Sequence, residues 1–131
     1  MANCTVVNLK RDVEDMAPKH GLAPGLESRF ARGALELAQS GLTHFTLAPE
    51  FRTPFGHRHD SQEEVYLVVA GSVRLAVDDD VVELGEWDVA RVPPEAMRCL
   101  EGGPEGGEVL AFGAPSKGNA DAQMEPGWWP A

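Results

Sequence analysis

The sequence predicts an all-β fold, either a sandwich or a barrel of antiparallel strands. Apolar and β-branched runs mark roughly eight or nine short strands, and turn residues recur roughly every six to ten positions. The 131 residues include 14 glycines and 10 prolines, which suits a fold with many turns, and no segment has the apolar period of a long helix. The length predicts one domain with a sizeable hydrophobic core.

We divide the chain into an N-terminal arm over residues 1–27, a β-barrel over 28–114 and a C-terminal tail over 115–131. Proline and glycine punctuate the arm as a loop, in which His20 is expected to be solvated. Residues 28–38 are ambiguous between an early strand and a short helix, because alanine, leucine and glutamate favour a helix while Gly33 interrupts them and Phe30 alternates with its neighbours.

The remaining strands follow in order. They are predicted over residues 42–48, 64–70, 73–77, 81–84, 88–92, 97–100 and 108–112. Gly71 and Ser72 predict a hairpin between the second and third of these strands, residues 78–80 a tight turn of three aspartates, and residues 102–107 a wide turn. His44, on the first of these strands, is expected to be a surface or a hydrogen-bonded core histidine.

The charge of the chain restricts its partners. The formal net charge of −10 argues against nucleic acid and anionic membranes, since both require a basic surface. No signal-peptide pattern and no apolar stretch of membrane length occurs. Cys4 and Cys99 do not make a disulfide framework, so a cytoplasmic protein with free thiols is expected.

Residues 54–71 contain the most informative pattern of the chain. His57 and His59 are separated by one residue, and on a strand they project from the same face. Glu64 follows five positions later. Two imidazoles and a carboxylate are a donor set for a divalent Fe, Mn, Ni or Zn ion. The alternative is a polar lining of a barrel mouth with no metal.

This pattern resembles the first motif of the cupin superfamily. That motif runs glycine, five residues, His-x-His, three or four residues, glutamate, six residues and glycine. His57, His59, Glu64 and Gly71 match it, whereas the opening glycine falls on Phe51. The resemblance covers roughly residues 42–114. It implies an antiparallel double-sheet jelly-roll barrel and a metal held by the two histidines and the glutamate.

The second cupin motif matches less well. It runs glycine, five residues, Pro-x-Gly, two residues and histidine. Pro93 matches, but the two glycines fall on Trp87 and Glu95, and the metal-binding histidine falls on Arg98. A guanidinium has no lone pair to give and stays protonated, so Arg98 cannot ligate a cation. It is expected either to bind the anionic group of a ligand or to pair with Glu64.

Two functions follow, from different classes. One is a cupin whose cavity binds a small anionic molecule, with Arg98 as the cation and with Tyr66 and Val68, which share a face with Glu64, as the apolar wall. The other is a metal-dependent oxygenase, isomerase or lyase acting on a small carboxylated substrate. Whether the protein is an enzyme is left open at this point.

The C-terminal tail and the oligomeric state complete the expectations. Trp128 and Trp129 are expected to be covered rather than left in water, either on the outside of the barrel or by a partner chain; a flap over the barrel mouth is the alternative. The cupin resemblance implies pairing through the sheets, so a homodimer is expected.

Overall fold

A computed structural model of the chain describes residues 3–114 and 121–131, and over these residues it contains eight strands and two short α-helices. The helices are α1 (Leu9–Asp12) and α2 (Arg32–Leu35), and a 3-10 helix spans Pro18–His20. The strands are β1 (Leu26–Phe30), β2 (Gly41–Leu47), β3 (Phe55–His59), β4 (Glu64–Val77), β5 (Asp80–Leu84), β6 (Val89–Val92), β7 (Arg98–Gly113) and β8 (Ala122–Pro126).

All the strand pairs are antiparallel and belong to one curled sheet, as the all-β prediction requires. One path through the sheet runs β1-β2-β7-β3-β8, and β4 pairs with β5, β6 and β7. The concave side holds the hydrophobic core. Its fully buried members include Tyr66, Val68, Val73, Leu75 and Val109. No helix in the described part of the chain is long and apolar enough to cross a membrane.

Both alternatives for residues 28–38 are present, one after the other. Ser28 to Phe30 complete β1, which pairs with β2 up to Phe30 opposite Thr43. The chain then turns into α2, which ends at Glu36 in the left-handed region with φ 55°. β1 ends two residues short of the position opposite Gly41, where β2 begins, and the alanine and leucine that follow form a helical turn.

The predicted hairpin at Gly71–Ser72 is wrong, and the predicted wide turn over 102–107 is a bulge inside the long strand β7 rather than a connection between two strands. β4 continues through Gly71 and Ser72 without a hairpin, with register shifts near Val69 and Ser72. On β7 the pairing with β4 steps from Gly102, opposite Val73, to Gly107, opposite Gly71, so residues 103–106 bulge out of the ladder within one strand. A Cβ atom on Gly71, whose φ is +66°, would collide with the Gly106 carbonyl oxygen, and one on Gly107 would collide with the Ser72 carbonyl oxygen. The glycines therefore allow two long strands to bend together at close approach.

The tight turn of aspartates is confirmed. Val77 pairs with Asp80, and Asp78 has φ 50°, so β4 and β5 form a hairpin whose tip is Asp78–Asp79. Aspartate tolerates this left-handed backbone because its short side chain can bond locally. The carboxylate of Asp78 accepts a hydrogen bond from the Met97 N–H at 3.0 Å, which anchors the turn beside the start of β7.

β8 was not predicted from the sequence. It pairs with β3 along its whole length, from Phe55 opposite Pro126 to His59 opposite Ala122. β3 has a single register pair with β7, between His57 and Arg98. The strand that carries both histidines is therefore held in the sheet mainly by the C-terminal segment.

Candidate functional site

β3 and β4 bring the predicted metal ligands together. Phe55, His57 and His59 alternate toward the concave side of the sheet, as the period of two predicts, and Glu64 begins β4 on the same side. One ligand atom from each of His57, His59 and Glu64 can be chosen so that all three lie within 4.8 Å of one another. The predicted convergence of these three residues is therefore present in the structure.

One carboxylate oxygen is the centre of this cluster. Oε1 of Glu64 lies 3.1 Å from Nε2 of His57 and 3.2 Å from Nε2 of His59. Tyr66 donates its hydroxyl hydrogen to the same oxygen at 2.9 Å. At bond lengths of about 2.0–2.2 Å, the neighbouring ligand atoms of one metal ion lie about 3.0–3.5 Å apart. The two nitrogen–oxygen separations fit a shared divalent ion.

The charge of the cluster follows from its contacts. Burial by itself raises the pKa of the Glu64 carboxyl, but the hydrogen bonds from His57 and His59 outweigh it and hold the pKa well below its usual range. Burial raises the pKa of Tyr66 well above its ordinary value, and the charge of Glu64 raises it further. Glu64 is thus a carboxylate at neutral pH, and Tyr66 remains a hydrogen-bond donor to it.

Arg98 lies beside this cluster and is completely buried, with a relative exposure of 0%. Its Nη2 donates to the Pro93 carbonyl oxygen at 2.7 Å, and its Nη1 lies 3.8 Å from Oε1 of Glu64. Within residues 3–114 and 121–131, Nε and Nη1 have no hydrogen-bond partner. A buried guanidinium normally has its donors satisfied, so two unpaired nitrogens here require an explanation.

The cluster opens into a cavity of about 700 Å³. Tyr66 and Arg98 line this cavity, as predicted. Val68 shares their face of the sheet but lies deeper; it is completely buried in the core, and the described lining does not include it. The alternation of side chains on β4 predicted the correct face for Val68. It could not predict whether a residue on that face lines the cavity or lies in the core beneath it, because that depends on how the sheet curves.

Several lining residues come from outside the predicted motifs. The N-terminal segment contributes Met16, Ala17, His20 and Leu22, and β8 contributes Met124. His20 is exposed, as expected, at the edge of this wall. The N-terminal arm therefore forms part of the cavity wall. No pattern in the sequence of the arm had predicted this.

His44 and Cys99 have structural partners away from the cluster. His44 is buried on the convex side of β2, and its Nε2 lies 2.7 Å from Oε1 of Glu108, as expected for a hydrogen-bonded core histidine. The sulfur of Cys99 lies 3.0 Å from the Thr53 hydroxyl, and burial raises the pKa of the thiol. Cys4 and Cys99 are both free.

The adjacent tryptophans pack on their own chain. Trp128 lies against Gly56 on the convex side of β3, where a Cβ atom on Gly56 would come within 2.7 Å of the indole. The guanidinium carbon of Arg52 lies 4.0 Å from the ring centroid of Trp129, a cation–π contact. Neither tryptophan is in the described lining of the cavity. The structure therefore has the two tryptophans packed on the outside of the sheet and not folded over the mouth of the cavity.

Asp121 is a site residue that sequence reasoning missed. Its Oδ2 lies 2.9 Å from Nδ1 of His59, on the side of the ring away from Glu64. In the sequence it lies in a polar stretch beyond the last predicted strand, and no spacing relates it to the histidines. No local sequence pattern could have indicated Asp121, because its contact with His59 joins residues 62 positions apart in the chain.

Comparisons with known proteins concern the fold. No protein-family model and no curated protein matches the chain. Among solved structures, a cupin protein from Bacteroides fragilis is similar, with a TM-score of 0.71, 18% identity and coverage of 90% of this chain and 89% of that one. KdgF from Halomonas sp. has a TM-score of 0.67 and 14% identity, covering 91% of this chain and 99% of that one.

A variant of oxalate decarboxylase from Bacillus subtilis has a TM-score of 0.72 and 19% identity over 92% of this chain. This chain covers 33% of that protein and so spans about a third of its length. These likenesses confirm the predicted jelly-roll architecture. At such identities they concern architecture and carry no activity across.

Proposed function

We propose that this chain, which has the cupin fold, binds a small anionic molecule in its cavity beside a divalent metal ion held by His57, His59 and Glu64. Iron, manganese, nickel and zinc all suit two imidazoles and a carboxylate. The observation that carries the anionic part of the proposal is Arg98, a fully buried cation with two nitrogens that have no hydrogen-bond partner among the described residues.

Glu64 alone does not satisfy Arg98. Its near oxygen already has contacts with His57, His59 and Tyr66, and it is 3.8 Å from the guanidinium, beyond a good hydrogen bond. A carboxylate or phosphate entering the cavity would accept from the unpaired donors of Arg98. Such charge-assisted bonds are among the strongest in proteins.

A bound metal ion would increase the need for an anion beside Arg98. A dication held by the three donors would lie close to the guanidinium, and two unit charges ~4 Å apart repel by about 4 kcal/mol at an effective dielectric near 20. Glu64 offsets part of this repulsion. An anion that contacts both Arg98 and the metal would offset the rest, which is why the two halves of the proposal belong together.

The three-donor set also supports a second candidate function, that of a metal-dependent oxygenase, isomerase or lyase for a small carboxylated substrate. Sites with three protein ligands leave positions on the metal open, where it polarises a substrate oxygen or activates water. The structural neighbour oxalate decarboxylase is named for a small dicarboxylate, which agrees in class with the proposed ligand. Turnover of a carboxylate by the metal-loaded protein would separate this enzyme from the non-catalytic binder.

Substitution of Arg98 by methionine is expected to weaken anion binding while keeping most of the side-chain volume. A hydrogen bond to a charged group contributes ~1.5–3 kcal/mol, so the dissociation constant should rise about 10- to 100-fold. The measurement is calorimetric titration of the metal-loaded protein with succinate, pyruvate and glycerol 3-phosphate, with neutral glycerol as the reference compound.

Arg91→Met is the matched control, because Arg91 is exposed and paired with Glu63 on the convex side of the sheet. It should leave every affinity unchanged. Equal binding of all three anions by wild type and Arg98→Met would show that Arg98 is structural, and the proposed anion site would be abandoned.

We also propose that two copies of the chain pair through the convex face of the sheet. Cross-strand pairing forms two rows there over β6, β4 and β7. One row is Val89, Leu67 and Leu110, and the other is Arg91, Val65 and Phe112, so five of the six side chains are apolar and the sixth is paired with Glu63. Val89 is 61% exposed and Phe112 41%. The net charge of −10 favours repulsion between copies, whereas these two rows carry no carboxylate and their one charged residue, Arg91, is paired with Glu63.

A Val89→Glu, Phe112→Glu double variant is therefore expected to be monomeric where the wild type is dimeric. Light scattering at micromolar concentration measures the mass of each. Val6→Glu is the control, since Val6 is 83% exposed and lies in the N-terminal arm, outside these rows. A monomeric wild type would contradict the proposal, as would a double variant that remains a dimer.

A further inference from the structure

Asp121 is buried, with a relative exposure of 2%, and each hydrogen bond of its carboxylate to the described residues is with the turn that follows β3 or with His59. Its Oδ1 accepts from the Ser61 N–H at 2.9 Å and the Ser61 hydroxyl at 2.7 Å. Its Oδ2 lies 2.9 Å from Nδ1 of His59 and accepts from the Gln62 N–H at 3.2 Å. The carboxylate is thus held in one orientation by the turn and presents one oxygen to the imidazole.

This contact determines which nitrogen of His59 carries hydrogen. A carboxylate only accepts, so the ring nitrogen 2.9 Å from it, Nδ1, must donate. In the neutral imidazole the other nitrogen, Nε2, then has a lone pair, and that lone pair points at Oε1 of Glu64, 3.2 Å away. Nε2 and Oε1 are stable at that separation only with a cation between them, either a proton on Nε2, which makes the contact a hydrogen bond, or a metal ion in its place.

The same segment controls where the strand lies. β8 begins next to Asp121 and makes five register pairs with β3, whereas β7 makes one. Outside the cavity, Arg58 donates to the Gln123 side chain at 3.1 Å, and the Gly127 N–H donates to the Pro54 carbonyl oxygen at 2.8 Å. Contacts from 121–131 therefore hold both the ring of His59 and the backbone beneath it.

We propose that Asp121 is a positioning residue of the metal centre, which holds Nδ1–H of His59 so that Nε2 is presented as a ligand. This inference rests on the proposed metal site. It assigns a role to the C-terminal segment, which has neither of the sequence motifs. Outer-shell partners of this kind typically change metal affinity by 10- to 100-fold when they are replaced.

The test uses the full-length protein with Asp121→Asn. Asparagine keeps the size of the side chain, but its NH₂ group takes the place of one carboxylate oxygen. Since both oxygens of Asp121 accept hydrogen bonds, one of the two sets of donors then loses its acceptor. We expect the dissociation constant for Zn²⁺ to rise about 10- to 100-fold. We also expect the ring ¹⁵N chemical shifts of His59 in the metal-free protein to lose the pattern of a protonated Nδ1.

Ser61→Ala is the matched control. It removes the hydroxyl bond to Asp121 but leaves the contact with His59, so it should lower the melting temperature without changing the Zn²⁺ affinity or the His59 shifts. If Asp121→Asn resembles Ser61→Ala in all three measurements, Asp121 is only a turn-stabilising residue and the inference is overturned.

The proposed metal site fails by a different result. Wild-type protein that binds no Zn²⁺, Mn²⁺, Fe²⁺ or Ni²⁺ would overturn the site and the inference together. Wild-type binding that is lost in His57→Ala and kept in Asp121→Asn would leave the site standing and overturn the inference alone.

Discussion

Replacement of His57 by alanine is expected to lower the affinity for a divalent metal by more than about a hundredfold. The three ligand atoms lie within 4.8 Å of one another, and removal of one leaves a histidine and a carboxylate as the protein ligands among the described residues. Loss of a direct ligand should exceed the 10- to 100-fold effect of an outer-shell partner. Metal content after dialysis, and competition with a chromogenic chelator, measure the change.

His20→Ala is the control for this variant, because His20 also lines the cavity but does not belong to the cluster of metal ligands. It should retain the wild-type metal content. If both variants bind metal as the wild type does, the metal lies elsewhere. Binding should also weaken on acidification, because protons compete with the metal for the imidazoles and the carboxylate.

Replacement of Arg98 by histidine is expected to have the opposite effect and raise the metal affinity about a hundredfold. The change removes a buried cation whose Nη1 is 3.8 Å from the central carboxylate oxygen, and it places a third imidazole, and so a fourth ligand, where the second cupin motif has a histidine. The repulsion between a guanidinium and a dication at ~4 Å is about 8 kcal/mol at an effective dielectric near 20. Relief of only a third of it, about 2.7 kcal/mol, corresponds to about a hundredfold.

Arg98→Met separates the two causes. Methionine removes the charge and adds no imidazole, so its metal affinity should lie between those of wild type and Arg98→His. All the affinities must be measured without added carboxylate or phosphate, since the proposed anion would mask the repulsion. A metal affinity of Arg98→His no higher than that of wild type would mean that Arg98 and the metal do not interact.

The central part of the candidate site was predictable from the sequence because it depends on local geometry. His57 and His59 share a face of any extended strand, and the glutamate that starts the next strand stands at a fixed offset from them. The same period of two identified Tyr66 as a neighbour of Glu64, and the Asp-rich turn was predictable because three residues determine it. The all-β class follows equally from short-range patterns.

The bends in β4 and β7 depended on tertiary structure. Gly71 and the glycines of 102–107 read as turns because glycine is common in turns. In the structure they allow close approach between two paired strands, and that use depends on the partner backbone. Val68 likewise lies on the predicted face but in the core, because the curl of the sheet determines which residues reach the cavity.

By itself, the sequence determined the strand class, the pair of histidines, the carboxylate beside them and the arginine at the position of the missing histidine. Only the tertiary structure decided that Arg98 is buried with unpaired donors, and that Asp121 lies against His59 across 62 positions of chain. The physical reason is one of range. Alternation and turn preference act over a few residues, whereas burial, tautomer and the pairing of β8 with β3 depend on segments that only folding brings together.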